Sequence, residues 1–338
     1  MTSISDLSQD LVEEILSRVP MTSLGATIST CKLWNTLSKD PSFKHCGKAA
    51  KEIMVIMMYH FKACLMSINL HNHKDLVDPF IKPIVFQCDG LLLCVTYEPN
   101  NLRLVVWNPY SGQTRWIQPK KDYCTSGRDI YGFPIGLATV VMIYEIYDFK
   151  SNSWRVLDIT IYWHIYGQGV SLKGNNYFIS QERWVVGEEI LKNCLLCFDF
   201  TREKFWGLPL PCHSRMEDCV ILSVVSEEKL AVLSRRFDSL EMEIWITNKI
   251  EPSAVSWSYF LKVDKVPSYR FQYLHGSFFV DEKKKVAVIC DIEYFTTRAN
   301  YKACMVGEGG HYREVDLGES LCQPLMCSPY VPSSMQIQ

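Results

Sequence analysis

One pattern recurs along the chain and restricts what it can fold into. An apolar strand ends on an aromatic residue, a polar turn follows, and a second strand opens with another aromatic. Val105-Val106-Trp107-Asn108-Pro109 runs through Ser111-Gly112 into Arg115-Trp116-Ile117. Tyr144-Glu145-Ile146-Tyr147-Asp148-Phe149 runs through Ser151-Asn152-Ser153 into Trp154-Arg155-Val156-Leu157. Leu195-Leu196-Cys197-Phe198-Asp199-Phe200 runs through Thr201-Arg202-Glu203 into Phe205-Trp206-Gly207-Leu208, and Glu243-Ile244-Trp245-Ile246 leads to Trp257-Ser258-Tyr259-Phe260-Leu261. The first aromatics stand at 107, 147, 198 and 245, intervals of 40, 51 and 47 residues. Further strand-like runs lie between them at Gly90–Val95, Gly169–Ile179, Lys229–Ser234 and Ser277–Cys290. Four strands per repeat of this length is the spacing of β-propeller blades. Five units are traced when Ser277–Leu317 is counted as a divergent one. A β-sandwich with decorated hairpins is the alternative.

Before about residue 80 the period differs. Leu11, Ile15 and Val19 recur at i, i+4, i+8 with Val12 and Leu16 beside them, a stripe wide enough to bury one helix face. Ser8 can cap this helix, Asp10 suits the positive end of its dipole, and Pro20 ends it. Leu24, Ile28 and Cys31 mark a second helix, with Trp34 and Leu37 on the neighbouring turn, and Phe43 opens a third short segment. A unit of about 40 residues is at the lower limit of independent stability, so the rest of this chain or a partner must cover its apolar faces. The expected fold class is therefore α+β multidomain: a small three-helix module at 1–46, a linker or first segment at 47–79, and an all-β, propeller-like domain at 80–338.

Charge excludes one class of function. The formal net charge is −2, and basic residues are scattered, so the electrostatic footprint of a nucleic-acid binder is missing. The densest basic run, Lys283-Lys284-Lys285, sits between two apolar runs and reads as a solvated hairpin turn. The best membrane candidate, Ile53–Met66, contains His60 and Lys62 and is too short to span a bilayer. Met1–Asp10 is polar and no secretory leader is expected. The 14 cysteines, irregularly spaced, read as reduced and mostly buried thiols, with cytoplasm or nucleus as the expected compartment.

No motif carries bond-making chemistry. Cys194-x-x-Cys197 has zinc-like spacing but lies in an alternating strand, where residues three apart point to opposite faces. Gly307-Glu308-Gly309-Gly310 lies between strand patterns and reads as a hairpin turn, not a dinucleotide loop. A non-catalytic binding protein without a cofactor is expected.

The N-terminal module resembles an F-box over about residues 4–46. The matching residues are Leu7-Ser8, Asp10 to Pro20, Ser23-Leu24, Ser29-Thr30-Cys31-Lys32, Trp34-Asn35, Leu37 and Asp40-Pro41-Ser42-Phe43. The remainder is similar to the plant type 1 F-box-associated domain, through Cys88 to Cys94, Trp107-Asn108-Pro109, Tyr147-Asp148-Phe149, Gly169 to Asn175, Leu196 to Thr201, Glu243-Ile244-Trp245 and Phe278 to Glu282. This resemblance implies the substrate-recognition subunit of an SCF-type (Skp–cullin–F-box) ubiquitin ligase. The Skp adaptor would be bound through Leu7, Ser8, Leu11, Ile15, Leu16, Leu24, Ile28 and Trp34, cullin would be reached through the adaptor, and a target protein would bind the β-domain. Two departures stand out. Ser8 replaces a proline usual in the family, and Tyr123–Val141 lacks strands that members usually have before Tyr147-Asp148. They leave room for a receptor no longer bound to its adaptor, and a glycan- or ligand-reading β-domain is a further alternative.

Overall fold

The computed structural model describes twenty-two strands between Glu52 and Pro329 with most of their turns, and the isolated Ile337. Residues 1–51, the segment 119–143 and several shorter loops lie outside the described residues. The strands form six antiparallel sheets. The second sheet comprises β4 (Ile84–Cys88), β5 (Leu91–Glu98), β6 (Asn101–Trp107) and β7 (Thr114–Ile117). The third has two described strands, β8 (Tyr144–Asp148) and β9 (Ser153–Leu157). The fourth holds β10 (Trp163–Leu172), β11 (Asn175–Glu182), β12 (Asn193–Asp199) and β13 (Lys204–Leu208). The fifth holds β14 (Cys219–Val225), β15 (Lys229–Arg235), β16 (Met242–Glu251) and β17 (Ala254–Val263). The sixth holds β18 (Ser277–Asp281), β19 (Val286–Phe295), β20 (Arg298–Gly307) and β21 (Tyr312–Ser320).

The first sheet draws on both ends of the chain. Its strands β1 (Glu52–Tyr59), β2 (Lys62–Asn69) and β3 (Asp75–Leu76) are joined by β22 (Cys327–Pro329), which pairs antiparallel with β1 through Val55↔Pro329 and Met57↔Cys327. The strand-rich region thus starts at Glu52 and not near residue 80, and the segment 47–79 contains three strands. The sequence hides them for a physical reason. Ile53 to Met58 is uniformly apolar and carries no turn residues, so no alternation marks a strand. Of the six sheets, sequence repetition traces the five that are continuous in the chain.

Burial settles ring against sandwich. In β15 every residue from Leu230 to Ser234 is buried. Leu230 and Val232 pack into a cluster with Leu195, Cys197 and Leu208 of the fourth sheet. Ala231 and Leu233, pointing the other way, pack with Phe278, Ala287 and Ile289 of the sixth. Alternate side chains of one strand therefore bury against different neighbouring sheets. A sandwich sheet keeps one wet face, whereas a propeller blade is dry on both. Neighbouring first strands also touch in series, β4 with β10, β10 with β14, β14 with β18, and β18 with β22. The contact of β4 with β10 skips the third sheet, so β8–β9 sits outward of the line of innermost strands.

Meander topology sorts the connections by end. Turns between first and second, and third and fourth, strands fall at one end of every blade, here called the near end. Those between second and third strands, and between blades, fall at the far end. Near-end turns such as 149–152, 173–174, 200–203, 252–253 and 282–285 have two to four residues. Far-end connections run from two residues at 99–100 and 296–297, through six at 236–241 and ten at 209–218, to thirteen at 264–276. Both described extremities of the chain lie at the near end. β1 starts there, β22 finishes there, and the Ile337 N–H donates to Gln113 Oε1 in the β6–β7 turn (3.1 Å).

Candidate functional site

The predicted adaptor contacts Leu7, Ser8, Leu11, Ile15, Leu16, Leu24, Ile28 and Trp34 all lie outside the described residues. The surfaces the structure does describe are the two ends of the ring and its outer rim.

The near end is built from one turn used four times. Asn108, Asp148, Asp199 and Asp281 each close a strand and accept backbone N–H groups of the turn that follows. Asn108 Oδ1 takes Ser111 N–H, Asp148 Oδ1 takes Lys150, Asp199 Oδ1 takes Thr201 and Arg202, and Asp281 Oδ1 takes Lys283 and Lys284. Four residues later the chain turns left-handed, with φ of 72° at Gly112, 54° at Asn152, 52° at Glu203 and 53° at Lys285. Only at Gly112 is that conformation free of steric cost. The side-chain acceptor substitutes for a missing ladder bond, and the strand pairs on either side fix the loop at four residues. The backbone N–H of Lys150, with the Ser151 hydroxyl, holds the Asp148 carboxyl below its usual range. The Lys283–Lys285 run sits in this turn between β18 and β19, and Gly307–Gly310 connects β20 to β21, both as the sequence predicts. An Asn or Asp four residues before each left-handed position is the sequence signal that marks these turns, beside the aromatic repeat.

The aromatics on either side of the turns pair across the strands. Tyr147 meets Trp154 and Phe198 meets Phe205, while Trp245 meets Tyr259 and not Trp257, because β16 runs on to Glu251 and Trp257 lies opposite Thr247. The bulge at Thr247/Lys249 puts Tyr259 and not Phe260 across from Trp245. Trp107 faces Thr114. Trp116 is 53% exposed on the edge strand β7. Trp163 is half-buried against Gly207, and Trp184 lies outside the described residues.

The β8–β9 hairpin is fastened to its neighbours at the rim. Arg115 Nη2 donates to Phe149 O (2.9 Å) and Asn152 Oδ1 (3.3 Å), with its guanidinium over the Phe149 ring. Trp154 Nε1 donates to Gln118 O (2.9 Å). Arg155 forms a two-pronged pair with Glu203, Nη1 to Oε2 at 2.8 Å and Nη2 to Oε1. The Arg155 guanidinium pulls the Glu203 carboxyl below its ordinary value.

At the far end, buried polar groups hold two connections in place. Asn193 donates its backbone N–H to Ser214 O (3.2 Å) and its Nδ2 to Ser214 Oγ (2.6 Å), and accepts from Gln181 Nε2 (3.2 Å). Asp218, 6% exposed, accepts the backbone N–H of Phe237 at 2.9 Å. The Phe237 side chain, held on that anchored turn, is 76% exposed, and Arg236 and Asp238 on either side are also exposed.

The described thiols are placed for packing. Cys194 faces Ser180 and Cys197 faces Tyr177 across β11–β12. Burial pushes Cys197 up to about 11 and Cys94 up to about 12, so both stay protonated and unreactive at neutral pH.

Comparison with known proteins accounts for both halves of the chain. Residues 4–46 match the F-box domain, and residues 54–337 match the F-box associated beta propeller domain. The Arabidopsis thaliana F-box protein At3g19560 is 49% identical, covering all of this chain and 99% of its own length. The Arabidopsis thaliana F-box/kelch-repeat protein At3g16740 is 43% identical over the full length of both. The chain belongs to the F-box proteins that carry an F-box associated β-propeller domain. The first of these alignments runs over 365 positions against the 338 residues of this chain, so that relative carries segments this chain lacks.

Proposed function

We propose that the chain is the substrate-recognition subunit of an SCF-type ubiquitin ligase. The observation that carries this reading is the direct coupling of an F-box match at 4–46 to a propeller whose first strand starts at Glu52. Leu11, Ile15 and Leu16 of the first helical stripe, with Leu7, Leu24, Ile28 and Trp34, would enter an apolar groove of a Skp-type adaptor as a helix-in-groove contact. Ser8 would cap the first helix where relatives use proline. Cullin joins through the adaptor, the target binds the ring, and the complex works in the cytoplasm or nucleus.

The chain itself makes and breaks no bond. It raises the effective concentration of a target lysine near an activated ubiquitin carried by other subunits and limits the orientations available to it. A rigid scaffold suits that task, and the fifth sheet is wedged on both faces. Leu11→Asp combined with Ile15→Asp puts two charges into the proposed groove. Co-purification of the Skp-type adaptor is expected to vanish while the β-sheet circular dichroism of the chain stays unchanged. Full adaptor recovery with the double variant would reject the docking assignment.

A further inference from the structure

We propose that the far end of the ring docks the target protein, with Phe237 as its aromatic anchor, and that the near end is the side occupied by the adaptor-bound module. This rests on the receptor reading above. The first argument is the tether. The F-box match stops at residue 46 and β1 starts at Glu52 at the near end. Residues 47–51 span at most about 20 Å even when fully extended. A ten-residue blade strand such as β16 is on the order of 30 Å long. A module tethered this closely would sit at the near end, where β22 also finishes and Ile337 bonds to Gln113. The far end is left for a partner.

The second argument is the build of the two ends. Four of the near-end turns draw their own backbone N–H groups onto an Asn or Asp at the end of the preceding strand. The far end carries the longer 209–218 and 236–241 connections on a rigid scaffold, the usual setting for a binding surface. Asn193 holds Ser214 of the first connection and Asp218 holds the backbone N–H of Phe237 in the second, so the backbone that carries the Phe237 ring is fixed before binding. Phe237 is the most exposed large apolar side chain among the described residues. Its backbone is held while its ring is open to solvent, which is the form of a pre-organised hot spot. Arg236 on one side and Asp238 on the other supply a polar rim. The partner this fits is a protein surface with an apolar recess bordered by charges of both signs.

The test uses the full chain expressed in plant cells, with ubiquitin-remnant proteomics as the readout. The reference set is the proteins whose lysine ubiquitylation rises with the wild-type chain but not with the Leu11→Asp, Ile15→Asp chain. Phe237→Ala is expected to lower modification of that set at least about tenfold, the loss of a typical anchor, with adaptor recovery unchanged. Phe237→Tyr, which keeps the ring, should retain most of it, and Phe200→Ser at the near end should retain all of it. An unchanged set with Phe237→Ala, or a set lost with Phe200→Ser in a chain that still folds and recovers adaptor, overturns the assignment of ends. An empty reference set rejects the receptor reading itself, and this proposal with it.

Discussion

The fifth sheet and the β8–β9 hairpin, which sits outward of the innermost strands, are held by different forces. The fifth sheet sends alternate side chains of β15 into the fourth and sixth sheets, so its stability is apolar area buried on both faces. The hairpin has two described strands, two of its large apolar side chains, Phe149 and Val156, stay exposed, and polar contacts at the rim hold it. Burial contributes about 25 cal/mol per Å² of apolar surface, whereas exposed ion pairs contribute about 0–1 kcal/mol each. The blade should therefore open only with the whole domain, and the hairpin should open locally, well below the global unfolding free energy.

The comparison breaks first, and most severely, in the core. Leu233→Ala, at a site 1% exposed, should cost about 2–5 kcal/mol in chemical denaturation. A loss under about 1 kcal/mol would mean that the two-faced wedge is not what stabilises the fifth sheet. Asp218→Ala comes next. It strips the acceptor from a held backbone N–H and should cost about 1–3 kcal/mol. Fluorescence of a label placed in the 236–241 turn should report greater mobility there. Arg115→Ala removes the contacts to Phe149 O and Asn152. It should change global stability by less than about 1 kcal/mol yet speed hydrogen exchange in β8–β9 while leaving β14–β17 unchanged.

The smallest effect is a pH dependence. The Glu203 carboxyl titrates below its ordinary value of 4.5 because the Arg155 guanidinium favours its charged form. A carboxyl with a depressed folded pKa adds stability above its unfolded pKa and loses it as pH falls through the folded value. Wild type should therefore exceed Glu203→Gln in unfolding midpoint at neutral pH, and the gap should close as pH drops below 4.5. A constant gap across that range would show that the pair does not carry the hairpin.

What the sequence discloses follows from the range of each interaction. Turn and hairpin chemistry is local, so Trp107-Asn108, Tyr147-Asp148 and Phe198-Asp199 announce their blades. The first sheet joins β1 to β22 across most of the chain, and the uniform run of Ile53 to Met58 carries no period to read. The sandwich alternative survives in the sequence because Leu230 to Leu233 records that both faces of β15 are apolar but not what covers them. Asp218 and Phe237 are 19 residues apart on different connections, and no motif links them before the fold does. The residues proposed to dock the adaptor are the reverse case. Leu11, Ile15 and Trp34 stand out at helical spacing in the sequence, and they lie outside the described residues.

The most direct test of the account is a calorimetric titration of the purified full-length chain with a Skp-type adaptor. It predicts one-to-one binding by the wild-type chain and no measurable binding by the Leu11→Asp, Ile15→Asp chain, with both chains showing the same β-sheet circular dichroism. A folded wild-type chain that binds no adaptor, or a double variant that binds as tightly as wild type, would contradict it.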